Sequence, residues 1–154
     1  MKSRHRLLLW LWKNVPFPQW LRDLYIGLTH PRFHVGVVAY IEDSEQGVLL
    51  FHHTYRRHHP WSLPGGYLEK NESPQKGIER EVREESSLTI RAGRTLAVAF
   101  HSRSQLDLLI HCEIMHGTPV ASPEVNGWRY VKRAQLAEIL PNHQRLLRQA
   151  QLIQ

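Results

Sequence analysis

Cysteine is nearly missing from this chain: Cys112 stands alone among 154 residues. One cysteine builds neither a disulfide framework nor a cysteine-rich zinc site, and it fits a reducing, cytoplasmic setting. Long apolar runs are missing too. The most membrane-like stretch, Leu7 to Trp12, follows Lys2, Arg4 and Arg6 and stops at Lys13, before Pro16 and Pro18. A span needs about 20 apolar residues, so no transmembrane segment is expected. No small-residue cleavage site follows to make the stretch a signal peptide. Repeats and low-complexity tracts are also lacking. Acid is scarce at the start, where Lys2, Arg4, Arg6, Lys13, Arg22 and Arg32 face Asp23 alone across residues 1–34.

What remains is material for one ordinary domain. The chain is 42% hydrophobic and carries a formal charge of +6, enough for a core and not a disordered composition. A basic body suits an anionic substrate, a nucleic acid or an anionic membrane, and charge alone does not choose among them. Pro16 and Pro18 divide the N-terminal region into two short helical candidates, 4–14 and 18–29. Their Trp10, Trp12, Trp20, Leu21, Leu24 and Tyr25 suit packing, a homodimer contact or a peripheral membrane contact.

Strand patterns follow. Phe33–Tyr40 and Gly47–His53 read as a hairpin around a polar turn, 95–101 and 106–115 as a second pair, and Gly127–Val131 as a short strand. Lys132–Ile139 reads as a short helix, and Asn142 is expected to cap a final helix running to about Leu152. Along 107–114, alternation sets Asp107, Leu109, His111 and Glu113 on one strand face, which looks either into a site or to solvent.

The informative stretch lies between Gly66 and Leu88. Ser73 is a helix cap and Pro74 sits at the first helical position, where its missing N–H costs nothing. The helix should run to about Ser86. At 100° per residue it brings Glu81, Glu84 and Glu85 to one face. Like charges three and four apart repel, and anions in the closing turns oppose the helix dipole. Such a cluster wants a counter-charge, and oxygen-only ligands on a rigid element suit Mg²⁺ or Mn²⁺. The competing reading is a solvated face with pairs such as Glu79–Arg83 and Arg80–Glu84.

The spacing resembles the Nudix box: Gly, five residues, Glu, seven residues, Arg-Glu-apolar-any-Glu-Glu-any-Gly-apolar. Gly66, Glu72, Arg80, Glu81, Val82, Glu84, Glu85 and Leu88 match in register, after a lead-in of Trp61-Ser-Leu-Pro-Gly-Gly66. Ser87 departs, standing where the family has Gly to close the helix in the left-handed conformation. The resemblance implies an α/β Nudix sandwich with a mixed sheet over residues 33–154, preceded by an N-terminal helical extension over 1–32. It implies metal-dependent hydrolysis of a diphosphate linkage in a nucleoside diphosphate joined to another group. Glu81, Glu84 and Glu85 would hold Mg²⁺ or Mn²⁺ with the Gly66 carbonyl, one carboxylate would take a proton from water, and Arg80 would orient Glu81 and pair with Glu72. Glu81, Glu84 and Arg80 are thus the expected catalytic residues.

Outside the box the expected substrate contacts are Tyr55, Trp61, Arg56, Arg57 and Glu113: aromatics to stack, cations for phosphates, and an acid from a later strand. The expected partner is a nucleotide-type small molecule. An RNA 5′-end pyrophosphohydrolase and a catalytically weak nucleotide-binding module are the alternatives.

Overall fold

The computed structural model describes Trp10 and residues 18–154. The chain divides into two compact units, Met1–Arg32 and Phe33–Gln154. In the first unit, α1 (Gln19–Thr29) buries none of its residues and exposes Trp20, Leu24, Ile26 and Leu28. The expected helix over 4–14 lies outside the described residues, Trp10 apart. No described helix is long and apolar enough to cross a membrane.

The second unit is built on a mixed sheet. Its strands are β1 (His34–Asp43), β2 (Gly47–His53), β3 (Trp61–Ser62), β4 (Gly65–Tyr67), β5 (Thr89–Ser102), β6 (Gln105–His116) and β7 (Val125–Val131). The path runs β3-β2-β1-β6-β5, with β4 on β1 and β7 on β2. β1 and β6 pair in parallel over Val35↔Leu106 to Ile41↔Cys112; the other pairings are antiparallel. The expected hairpin is β1–β2, turned at Asp43, whose Oδ1 accepts from the Glu45 and Gln46 amides at 2.9 and 2.8 Å.

Runs such as Val37–Ile41 and Val48–Phe51 are buried at every residue. That pattern belongs to strands covered on both faces. One face packs Val38, Leu50, Leu109 and Val131 against Leu136, Leu140, Leu146 and Leu147 of the C-terminal segment. The other packs Val37, Leu49, Phe51 and Ile110 against Ile78 and Val82 of α2 (Pro74–Ser86). The result is the α/β/α sandwich the resemblance implies.

Two C-terminal expectations need correction. The segment after β7 is a 3₁₀ turn (Arg133–Gln135) and a single α-turn, α3 (Leu136–Ile139). The last helix, α4 (Gln144–Gln149), is not capped by Asn142, which lies inside a second 3₁₀ turn, Pro141–His143. Leu146 and Leu147 do form its buried face. The pieces are short because packing of those leucines, more than local propensity, holds them helical.

Candidate active site

α2 begins and ends as its residues dictate. The Ser73 side chain accepts from the Lys76 amide at 3.4 Å, and Pro74 follows. Ser87 closes the helix at φ 61° and ψ 6°, its N–H donating to the Arg83 carbonyl. The left-handed closure is thus kept without glycine.

The three box carboxylates do share a face, graded from solvent to interior. Glu84 is 62% exposed, Glu81 is 18% exposed and Glu85 is 4% exposed. Arg80 gathers them. Its Nε and Nη2 grip Glu72 at 3.0 and 2.9 Å, a bidentate fork that ties the loop before α2 to the helix. Its Nη1 donates to Glu81 Oε1 at 2.9 Å and Glu84 Oε2 at 3.2 Å, and Nη2 also to the Tyr67 carbonyl at 3.0 Å. The Glu72–Arg80 pair and the Arg80–Glu81 contact therefore exist as the resemblance implied. Arg80 holds the Glu72 carboxyl below its usual range. Glu79 does not pair with Arg83; its Oε1 accepts from the Ala92 amide on β5 at 2.9 Å.

β4 brings Gly65 and Gly66 against this cluster. A Cβ on Gly66 would lie 2.3 Å from the Glu81 carboxyl, so any side chain there would push that carboxyl from its place. The Gly65 amide donates to Glu85 Oε2 at 3.0 Å. Burial pushes Glu85 up to about 8 against that hydrogen bond, with Glu81 and Glu124 adding to the rise. Burial also raises Glu81, with Arg80 opposing and Glu84 adding. A buried and a half-buried acid, both pushed toward protonation, are a site short of positive charge.

A cavity of about 660 Å³ opens beside them. Its lining includes the acids Glu81 and Glu124, the glycines Gly65 and Gly66, and the basic or imidazole side chains of Arg56, Arg57, His58, His101 and His143. Among the described residues Arg56 and Arg57 join no ion pair, whereas Arg80, Arg91 and Arg133 each meet a carboxylate. The lining also holds a polar chain: Tyr67 Oη donates to Gln105 Oε1 at 3.1 Å, and Gln105 Nε2 to Asp107 Oδ1 at 2.8 Å. His101 Nδ1 stands 3.4 Å from the other Asp107 oxygen.

Of the expected substrate contacts, Tyr55, Arg56 and Arg57 line this cavity and two residues do not. Trp61 is sandwiched elsewhere, with Arg129 4.1 Å above its ring and His52 edge-on at 5.0 Å. Glu113 pairs with Arg91 on an exposed part of the sheet. The polar face of β6 changes surroundings along its length: Asp107 looks into the cavity, Leu109 into the core, and Glu113 out to solvent.

Residues without a sequence signal complete the site. His53 and His143 are buried at 1% and 6% exposure. Burial pushes His53 down to about 4, with Arg56 and His52 adding, so its imidazole is neutral near pH 7.

The family profile of the NUDIX domain matches residues 32–150. The chain belongs to the Nudix hydrolase family. A MutT-like protein of Streptomyces ambofaciens is 30% identical over 113 residues, 71% of each chain. An ADP-ribose pyrophosphatase of Streptococcus suis shares the fold with a TM-score of 0.57 at 22% identity, over 65% of this chain and 74% of its own. A UDP-X diphosphatase does so with a TM-score of 0.59 at 20% identity, over 86% and 68%. Nudix hydrolases act on phosphorus-containing acid anhydrides of the nucleoside diphosphate type and generally use divalent metal ions.

Among the described residues no three His, Cys, Asp or Glu side chains are placed close enough together to hold a metal ion as they stand. Glu81 and Glu84 lean on Arg80, and Glu85 on the Gly65 amide. The donors nonetheless fit a hard divalent cation. They are all carboxylate and carbonyl oxygens, and the most buried of them is raised by burial, which a bound cation would reverse.

Proposed function

We propose that this Nudix hydrolase cleaves the diphosphate linkage of a nucleoside diphosphate joined to another group, with Mg²⁺ or Mn²⁺. The observation that carries the reading is a cavity lined both by the raised Glu81 carboxylate, on the helix that also carries Glu84 and Glu85, and by Arg56 and Arg57, which join no ion pair among the described residues. Such a cavity suits an anionic substrate that arrives with a divalent cation.

Glu81, Glu84 and Glu85 are assigned to the metal with the Gly66 carbonyl. When bound, the metal neutralises phosphate oxygens and acidifies a water. Glu81, which lines the cavity, is assigned as the group that takes the proton from the attacking water. Arg80 steadies Glu81 and ties it to Glu72. Arg56 and Arg57 receive phosphate oxygens, which holds the diphosphate in the cavity that Glu81 lines. Tyr55, 57% exposed at the cavity rim, offers its ring to the base or the second group.

The test is a substrate panel at pH 8 with Mg²⁺ or Mn²⁺, reading released phosphate and nucleotide. It contains nucleoside triphosphates, ADP-ribose, dinucleotides, nucleotide sugars, CDP-alcohols and a triphosphorylated RNA. Metal-dependent turnover of one class, lost in Glu84→Gln and in Glu85→Gln, supports the proposal. Near-normal turnover in both variants would sink the assignment.

A further inference from the structure

His53 closes β2, a strand whose preceding residues Val48 to Phe51 are all buried and apolar. It is itself 1% exposed, and neither ring nitrogen has a hydrogen-bond partner. A buried polar group without partners weakens a fold, and native proteins keep few of them. Leucine or phenylalanine would continue the strand without that cost. Such violations of local consistency are expected at functional sites.

The neighbours of His53 show what it faces. Tyr55 meets the ring edge-on at 5.4 Å, an apolar contact. Nδ1 stands 3.6 Å from Oε1 of Glu85, a few tenths of an ångström beyond a hydrogen bond. The other Glu85 oxygen is already held by the Gly65 amide at 3.0 Å. Glu85 therefore has one oxygen tied to backbone and the other facing a donor just out of reach.

We propose that His53 is a positioning residue for Glu85: its Nδ1–H closes onto Oε1 when the carboxylate takes up a divalent cation. With Gly65 on one oxygen and His53 on the other, the carboxylate cannot rotate, and its remaining lone pairs stay aimed at the metal. Partners behind a ligand that hold its orientation change metal affinity by about 10- to 100-fold. The inference rests on Glu85 being a metal ligand, as assigned under the proposed function.

The experiment measures Mn²⁺ affinity by electron paramagnetic resonance of the free ion, and thermal stability in chelator. The proteins are wild type, His53→Leu, His53→Asn and Glu85→Gln. His53→Leu should keep or raise the melting temperature without metal, since an unpartnered polar group is gone, yet weaken Mn²⁺ binding by about 10- to 100-fold. Asparagine offers an amide N–H at the position of Nδ1, so His53→Asn should recover most of that loss. Should the leucine variant not fold, His53→Met, an adaptable apolar chain, replaces it.

Mn²⁺ affinity unchanged in His53→Leu but weakened in Glu85→Gln would overturn the role of His53 and leave the metal assignment standing. Equal weakening in His53→Leu and His53→Asn would reduce His53 to a space-filler and overturn the inference. Unchanged affinity in Glu85→Gln would remove the metal assignment itself.

Discussion

Replacing Ser87 by glycine isolates a single physical term. Ser87 ends α2 in the left-handed region, at φ 61° and ψ 6°, where a Cβ crowds the following carbonyl at a cost of roughly 1–2 kcal/mol. Ser87→Gly removes that crowding. Against it, glycine enlarges the unfolded ensemble by about 0.4–1 kcal/mol. The side chain itself is exposed and holds no hydrogen bond among the described residues, so no other interaction is lost. The balance favours glycine by about 0.5–1 kcal/mol, which for a chain of this length raises the melting temperature by about 1–4 °C. Thermal and urea unfolding of the two proteins measure it, with Ser87→Asn expected between them because asparagine tolerates the left-handed region. The backbone bond from Ser87 N–H to Arg83 stays, so the carboxylates keep their places and turnover should not change. A lower melting temperature in Ser87→Gly would refute the reasoning. So would a change in turnover beyond about twofold, since it would give the hydroxyl a role in the site.

Other expectations concern the site directly. Gly66→Ala drives a Cβ into the Glu81 carboxyl, whose nearest atoms lie 2.3 Å away; turnover should fall by about 100-fold or more, the scale of losing a positioned acid–base group, while circular dichroism stays unchanged. Arg80→Lys keeps the charge but loses the fork on Glu72. It should lower stability by about 1 kcal/mol, little because the pair is partly solvated, and turnover by more than stability alone explains. Unaltered steady-state kinetics in Arg80→Lys would argue against its link to Glu81.

His143 supplies a pH dependence. Burial pushes it down to about 3, with Arg56, His101 and His53 adding, whereas unfolded it titrates near ~6.5. Between those values the unfolded chain holds the proton that the folded chain refuses. Stability should therefore fall as pH drops below about 6.5, by up to ~1.4 kcal/mol per pH unit from this residue. Glu85, raised by burial, titrates with the opposite sign, so the comparison is made against His143→Leu. That variant should show a flatter acid limb in urea unfolding; an identical limb would show that His143 does not carry the effect.

The box was legible because its chemistry is local. A cap at Ser73, a proline at the first helical position and acids three and four apart all act within a few turns of one helix. The wider environment was not legible. Trp61 and Glu113 look like substrate contacts by residue type, yet one packs on Arg129 and the other pairs with Arg91. His53 and His143 carry no pattern at all, since burial of a polar side chain depends on what arrives from elsewhere in the chain.

The sequence by itself determined the helix, its left-handed closure without glycine and the register of carboxylates along it, because those follow from dihedral preferences and a 3.6-residue repeat. It also determined that β1 and β2 form a hairpin, through two strand-like apolar runs and the polar turn between them. Only the tertiary structure decided how deep each carboxylate lies and which cations face it. Those properties come from β4 docking on α2, and from Tyr55–His58, His101 and His143 meeting across one cavity. Dielectric and charge at a site are sums over neighbours distant in sequence, and folding alone brings them together.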